Sequence, residues 1–248
     1  MTTDSYCHCG ETKYRPLQDV ISMLDAAGVS RAVLVQHMGE FNNSYIGKAL
    51  AENLTRFAGV ALLNPNGDWS VALDTLAASA GWKGVRVDQP MLLGAPAMCR
   101  DILERGMELL VYIDDDGVPA VRAKIADLAT SNPKRRIVVS HYGIAHSVEA
   151  FSKFRLACDL SSISNVRIVL SGLSQFAKEP FEPLIEPTRE LIERFGTERL
   201  MWGSNWPVCG GRDGYTAALD FITSGKLSLS DKAIDDILFK TADDTWFA

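Results

Sequence analysis

Short runs of apolar and β-branched residues recur along the chain, and longer stretches with apolar residues three and four apart lie between them. The short runs have strand length and are apolar on both faces, which predicts strands over 4–8, 32–36, 57–62, 84–87, 109–113, 137–141, 167–171 and 200–204. The longer stretches predict helices over 17–27, 44–54, 69–80, 97–105, 119–131, 147–158, 186–195 and 214–223, with a closing helix over 230–246. Gly28, Gly81, Gly106 and Gly196 each follow one of these helices, where a left-handed terminal residue favours glycine. Strands that are apolar on both faces belong to parallel sheets covered by helices. Eight strand–helix units in 248 residues match a single-domain (β/α)8 TIM barrel over 1–248. An open doubly wound sheet is the structural alternative, but it usually has fewer strands and a glycine-rich first turn. No G-x-G-x-x-G follows the first strand here.

Composition narrows the partners. The chain is 47% hydrophobic and 23% charged, enough for a sizeable core. Its net charge of −6, with no basic run or basic-aromatic stripe, argues against nucleic acid. No apolar stretch approaches the roughly 20 residues that cross a bilayer, so no membrane contact is expected. The polar N-terminus carries no apolar signal segment, and five cysteines, an odd number, suit reduced thiols in the cytoplasm. Self-association is compatible with all of this.

A barrel places its chemistry at the C-terminal ends of the strands. There the sequence delivers Tyr6, Cys7, His8 and Cys9 from the first strand, then Gln36 and His37 from the second. Arg86 and Asp88 follow from the fourth, and Tyr112 and Asp114 to Asp116 from the fifth. The last three strands add Ser140, His141 and Tyr142, then Ser171, then Ser204, Asn205 and Trp206. Cys7-His8-Cys9 lacks the C-x2–4-C separation of a zinc fragment and has no second Cys/His pair at a fitting distance. Arg86 offers a bidentate fork to a carboxylate, or an ion pair to Asp88. Trp202 and Trp206 read as packing or as substrate walls.

These residues carry a resemblance. Asp4-Ser5-Tyr6-Cys7-His8, Ala32-Val33-Leu34-Val35-Gln36, Asn42-Asn43-Ser44-Tyr45, Gly84-Val85-Arg86, Val139-Ser140-His141-Tyr142-Gly143 and Met201-Trp202-Gly203-Ser204-Asn205-Trp206-Pro207 together resemble the amidohydrolase-2 group of the amidohydrolase superfamily. The group includes pyrone dicarboxylate lactonases, fuconolactonase-like enzymes and a decarboxylase. The resemblance implies the same barrel and hydrolysis of a small substrate. It also implies that Asp-X-His-X-His on strand 1 and Gly-Ser/Thr-Asp-Trp-Pro on strand 8 hold a metal in metal-dependent members.

The chain departs from that pattern twice, with Tyr6 at a histidine position and Asn205 at the aspartate. A neutral amide is no general base, and a tyrosine of ordinary pKa is a poor zinc ligand. The expectation is therefore a hydrolase without cofactor or metal, acting on a lactone or related bond of a small carboxylated substrate. One divalent metal on His8 and His141 is the alternative. Tyr6, His8, His141 and Asn205 are the expected catalytic residues, and Gln36, Arg86, Tyr112, Asp114, Ser204 and Trp206 the expected substrate-binding ones. Decarboxylation, isomerisation or cyclisation on the same scaffold, or a barrel that only binds a ligand, are the competing readings.

Overall fold

The computed structural model describes residues 1–113, 118–143, 148–149, 151 and 156–248. Eight strands, β1 Thr3–Cys7, β2 Arg31–Val35, β3 Phe57–Leu62, β4 Trp82–Val87, β5 Glu108–Val111, β6 Ile137–Val139, β7 Val166–Leu170 and β8 Leu200–Trp202, pair in parallel and in chain order. The sheet closes where β1 meets the end of β8. His8 N donates to Trp206 O at 2.8 Å, Asn205 N donates to Tyr6 O at 2.8 Å, and Cys7 bridges Trp206 in parallel. The expected TIM barrel is therefore present, with its eight strands in the anticipated places.

Two apolar layers follow from the period-2 alternation of the strands. Tyr6, Val33, Val60, Leu110, Val169 and Met201 fill the barrel interior, whereas Cys7, Leu34, Ala61 and Val139 face the helices. Gly203 is needed where β8 passes β1, because a Cβ there would lie 2.7 Å from Tyr6 Cβ and 3.0 Å from Tyr6 N. Trp246, from the closing segment, joins the interior cluster. Its ring lies close to Gly84 early in β4, where a Cβ would come within 3.0 Å of it. Asp243 and Asp244 of the same segment pair with Arg31 and Arg136 at the N-terminal ends of β2 and β6. The closing segment thus forms the floor, and chemistry is confined to the opposite mouth.

Several helices depart from the sequence pattern. The stretch expected as one helix over 97–105 is preceded by another, Gln89–Gly94, capped by Asp88, whose carboxylate accepts from Met91 N at 2.8 Å. Ala95 leaves helical geometry at φ −122°, ψ 56°, and Pro96 starts the second helix, Pro96–Glu104. A further short helix, Leu173–Phe176, follows β7 without having been anticipated. The closing helix starts as Asp231–Asp235 and continues in the wider π-helical turns Asp236–Lys240 and Asp243–Phe247. The helix expected over 147–158 falls largely outside the described residues, which resolve Leu156–Leu160 at its end. Gly28, Gly81, Gly106 and Gly196 all adopt positive φ, as their helix-terminal positions require. Among the described residues no helix is long and apolar enough to cross a membrane.

Candidate active site

The mouth begins with His8, one residue beyond β1. It is 3% exposed, and its Nδ1 lies 2.6 Å from Val35 O. A carbonyl only accepts, so Nδ1 carries the proton and Nε2 presents a bare lone pair. The Tyr14 ring stacks on the imidazole at 4.7 Å and 10°, and Tyr6 meets its edge at 5.2 Å and 85°. Burial, followed by the charge of Arg86, pushes the His8 pKa from 6.5 down to about 3, so the ring is neutral at physiological pH.

His141 stands just past β6. The predicted strand ends at Val139, and His141, Tyr142 and Gly143 then take successive left-handed φ values of 53°, 61° and 74°. His141 N donates to Ser171 Oγ at 3.2 Å, and the same hydroxyl lies 2.9 Å from His141 Nδ1. Its ring packs against Tyr6 at 4.8 Å and Tyr112 at 5.6 Å. Burial and Arg86 push its pKa to about 3 as well.

Arg86, from β4, supplies the positive charge felt by both histidines. It is 5% exposed, its Nη1 donates to Gln36 O at 3.1 Å, and its Nε has no partner. Its guanidinium lies 5.8 Å from the Tyr6 ring centre and 5.2 Å from that of Tyr112. Asp88, weighed as its ion-pair partner, is instead the helix cap described above. The Tyr6 hydroxyl is fully buried near Ser140 without a well-formed hydrogen bond, and burial raises its pKa, so it stays protonated. Asn205, at φ 57°, anchors its backbone N on Tyr6 O while its side-chain Nδ2 has no partner. The structure therefore gathers Tyr6, His8, Arg86, Tyr112 and His141 around one mouth and holds Asn205 against Tyr6.

The remaining candidates behave differently. Ser204 Oγ donates to Asp4 Oδ2 at 2.6 Å and accepts from Trp206 N at 2.9 Å, so this hydroxyl is committed to barrel closure. Gln36 holds its own loop, accepting from His37 N and donating to Asn42 O, both at 3.0 Å. Trp206 borders a cleft of about 540 Å³ with Arg15, Asp19, Met23 and Arg212, and its backbone carbonyl accepts from His8 N. Asp114, Asp115 and Asp116 lie outside the described residues.

Two residues of this region were not singled out from sequence. Asp4 accepts from Ser204 N at 2.9 Å, from Ser204 Oγ and from Tyr6 N at 3.1 Å, clasping β1 to β8, and burial raises its pKa to about 6. The signal was present, since Asp4 heads the strand 1 motif. Tyr14 had no such signal, because only the fold of the loop over 9–16 brings it onto His8.

The donor set at the mouth differs from one that would hold the divalent metal of metal-dependent members. Tyr6 offers a protonated phenol, Asn205 a neutral amide, and Arg86 a buried cation beside both histidines, which repels a second cation. Among the described residues no three His, Cys, Asp or Glu side chains converge in a ligating group. These residues do not fit such a metal.

Comparisons with known proteins place the chain. Residues 11–247 match the family described as Amidohydrolase. The 4-sulfomuconolactone hydrolase of Rhizobium radiobacter is 23% identical over 79% of this chain and 67% of its own. The L-fucono-1,5-lactonase of Burkholderia ambifaria is 26% identical over 77% and 69%. A Pseudomonas putida structure described as a 2-pyrone-4,6-dicarboxylic acid hydrolase superposes with a TM-score of 0.82, covering 98% of this chain and 96% of that one at 24% identity. With the barrel and its mouth as described, the chain is an enzyme that belongs to the amidohydrolase family.

Proposed function

We propose that this enzyme hydrolyses a small carboxylated lactone and does so without a resident metal. One observation carries the reading: three buried hydrogen-bond donors, Arg86 Nε, Tyr6 Oη and Asn205 Nδ2, have no partner. Orphaned buried donors cost on the order of 1–3 kcal/mol each, a cost that an acceptor-rich ligand removes. A lactone carboxylate supplies acceptors for Arg86, and a tetrahedral oxyanion supplies them for Tyr6 and Asn205.

The chemistry follows from the protonation states. His8 Nε2 takes a proton from water, the hydroxide adds to the lactone carbonyl, and Tyr6 Oη and Asn205 Nδ2 donate to the resulting oxyanion. Collapse of the intermediate breaks the ring C–O bond, and the His8 imidazolium returns its proton to the leaving oxygen. The carboxylate paired with Arg86 offsets the positive charge that adds to burial in lowering the pKa of both histidines. Binding thereby raises the His8 pKa and makes it a stronger base once substrate is present. The relatives that act on lactones support this reaction class.

The test is turnover of carboxylated muconolactones and pyrones by protein treated with a chelator. Retained hydrolysis is expected. Activity that disappears on chelation and returns with zinc would exclude the metal-free mechanism.

A further inference from the structure

The loop over 9–16 places an aromatic ring on the mouth under conditions that favour another residue. Tyr14 sits at φ 72°, a left-handed conformation in which glycine or asparagine is unstrained and a bulky ring is uncommon. Nothing about the turn itself calls for a tyrosine. The loop is tight, with Gly10 N donating to Arg15 O at 3.0 Å, and a Cβ on Gly10 would lie 2.5 Å from Lys13 O. This closeness fixes where the Tyr14 ring falls. It stacks nearly parallel on His8, turns its side to His37 at 5.4 Å and 87°, and carries Lys13 Nζ 5.3 Å from its centre.

The consequence is a fully bracketed imidazole. Val35 O holds Nδ1, the Tyr6 ring meets the edge, and Tyr14 covers a face, while Tyr14 itself remains only half-buried. A hydrogen bond at Nδ1 alone leaves the ring free to tilt about that bond. A stacked slab removes this freedom, and with it the spread in direction of the Nε2 lone pair.

We propose that Tyr14 is a positioning residue for His8: by stacking on the imidazole it fixes the direction of Nε2 and keeps water off that face. The proposal rests on the reading of His8 as the base, and it is tested in two arms so that the two can fail separately. The first arm needs no substrate. Diethyl pyrocarbonate acylates exposed neutral imidazoles, and peptide mass spectrometry assigns the modified histidine. Tyr14→Phe, which keeps the slab, is expected to leave His8 as slowly modified as in the wild type. Tyr14→Gly and Tyr14→Asn, both at ease at this φ, are expected to speed His8 modification at least tenfold, with a Tm within about 2 °C of the wild type. His8 equally protected in both variants, or loss of Tm in proportion to the gain in reactivity, would overturn the positioning role.

The second arm uses the lactone substrate. Tyr14→Gly is expected to lower kcat at least tenfold with KM changed less than threefold, and Tyr14→Phe to restore the wild-type kcat. A loss carried by KM alone would overturn the proposal, because it would make Tyr14 a substrate wall. If the wild-type enzyme turns over no lactone, the reaction assigned above fails, and the modification arm still decides whether Tyr14 shields His8.

Discussion

Tyr6 combines a fully buried ring with a hydroxyl that has no partner, so its two parts can be separated by one substitution. Tyr6→Phe keeps the packing and removes only an unsatisfied polar atom. Its thermal stability is expected to match or exceed the wild type, while kcat on the lactone falls on the order of 100-fold, as measured by steady-state kinetics beside calorimetry. The same position tests the proposed metal-free reading. Tyr6→His with Asn205→Asp supplies the ligand types of metal-dependent members, and by elemental analysis the double variant is expected to copurify with about one zinc per chain and the wild type with none. At this scale the sequence was partly legible. The resemblance marked Tyr6 and Asn205, because a phenol and an amide stand where its motifs place a histidine and an aspartate. It did not reveal that Ser204 serves Asp4, since those partners are 200 positions apart, nor that Tyr14 reaches His8.

The β1–β8 seam is the element on which the mouth depends. Its clasp is a carboxylate buried among neutral donors, and its raised pKa of about 6 gives it a pH signature. The folded Asp4 holds its proton more tightly than the unfolded one at 3.8, so its contribution is full below about pH 4 and is lost as pH rises through 6. Asp4→Asn removes that dependence. The stability of the variant relative to wild type is expected to rise by about 2 kcal/mol between pH 4 and 6.5, as read from urea unfolding. Strand positions were legible throughout because each strand is a short apolar, β-branched run between breaks. The helices Gln89–Gly94 and Leu173–Phe176 were not, since each is too short for a 3.6-residue period to register.

Across the whole molecule the two buried histidines dominate the acid limb. Their folded pKa values of about 3 lie below the ordinary 6.5, so the stability of their neutral forms is complete above pH 6.5 and is lost as pH falls toward 3. Each adds a slope of about 1.4 kcal/mol per pH unit in that window, opposite in sign to Asp4 and together larger. His141→Asn is expected to flatten the fall in the urea midpoint between pH 6 and 4 by about one proton. The floor offers a comparison without charge: Trp246, 0% exposed under the barrel interior, is expected to cost about 3–5 kcal/mol on replacement by alanine at any pH.

The seam also fixes an order of events. Every other strand pair joins neighbours in sequence, whereas β1 waits for β8, nearly the whole chain later. Tyr6 and His8 lie about 200 positions before Asn205, so loop-closure entropy makes their pairing one of the costliest contacts to form. The complete mouth requires the β1–β8 seam to be closed, because that seam brings Asn205 and Trp206 onto Tyr6 and His8. Recovery of turnover during refolding is a direct clock for completion of the barrel, and it lags the recovery of helical signal.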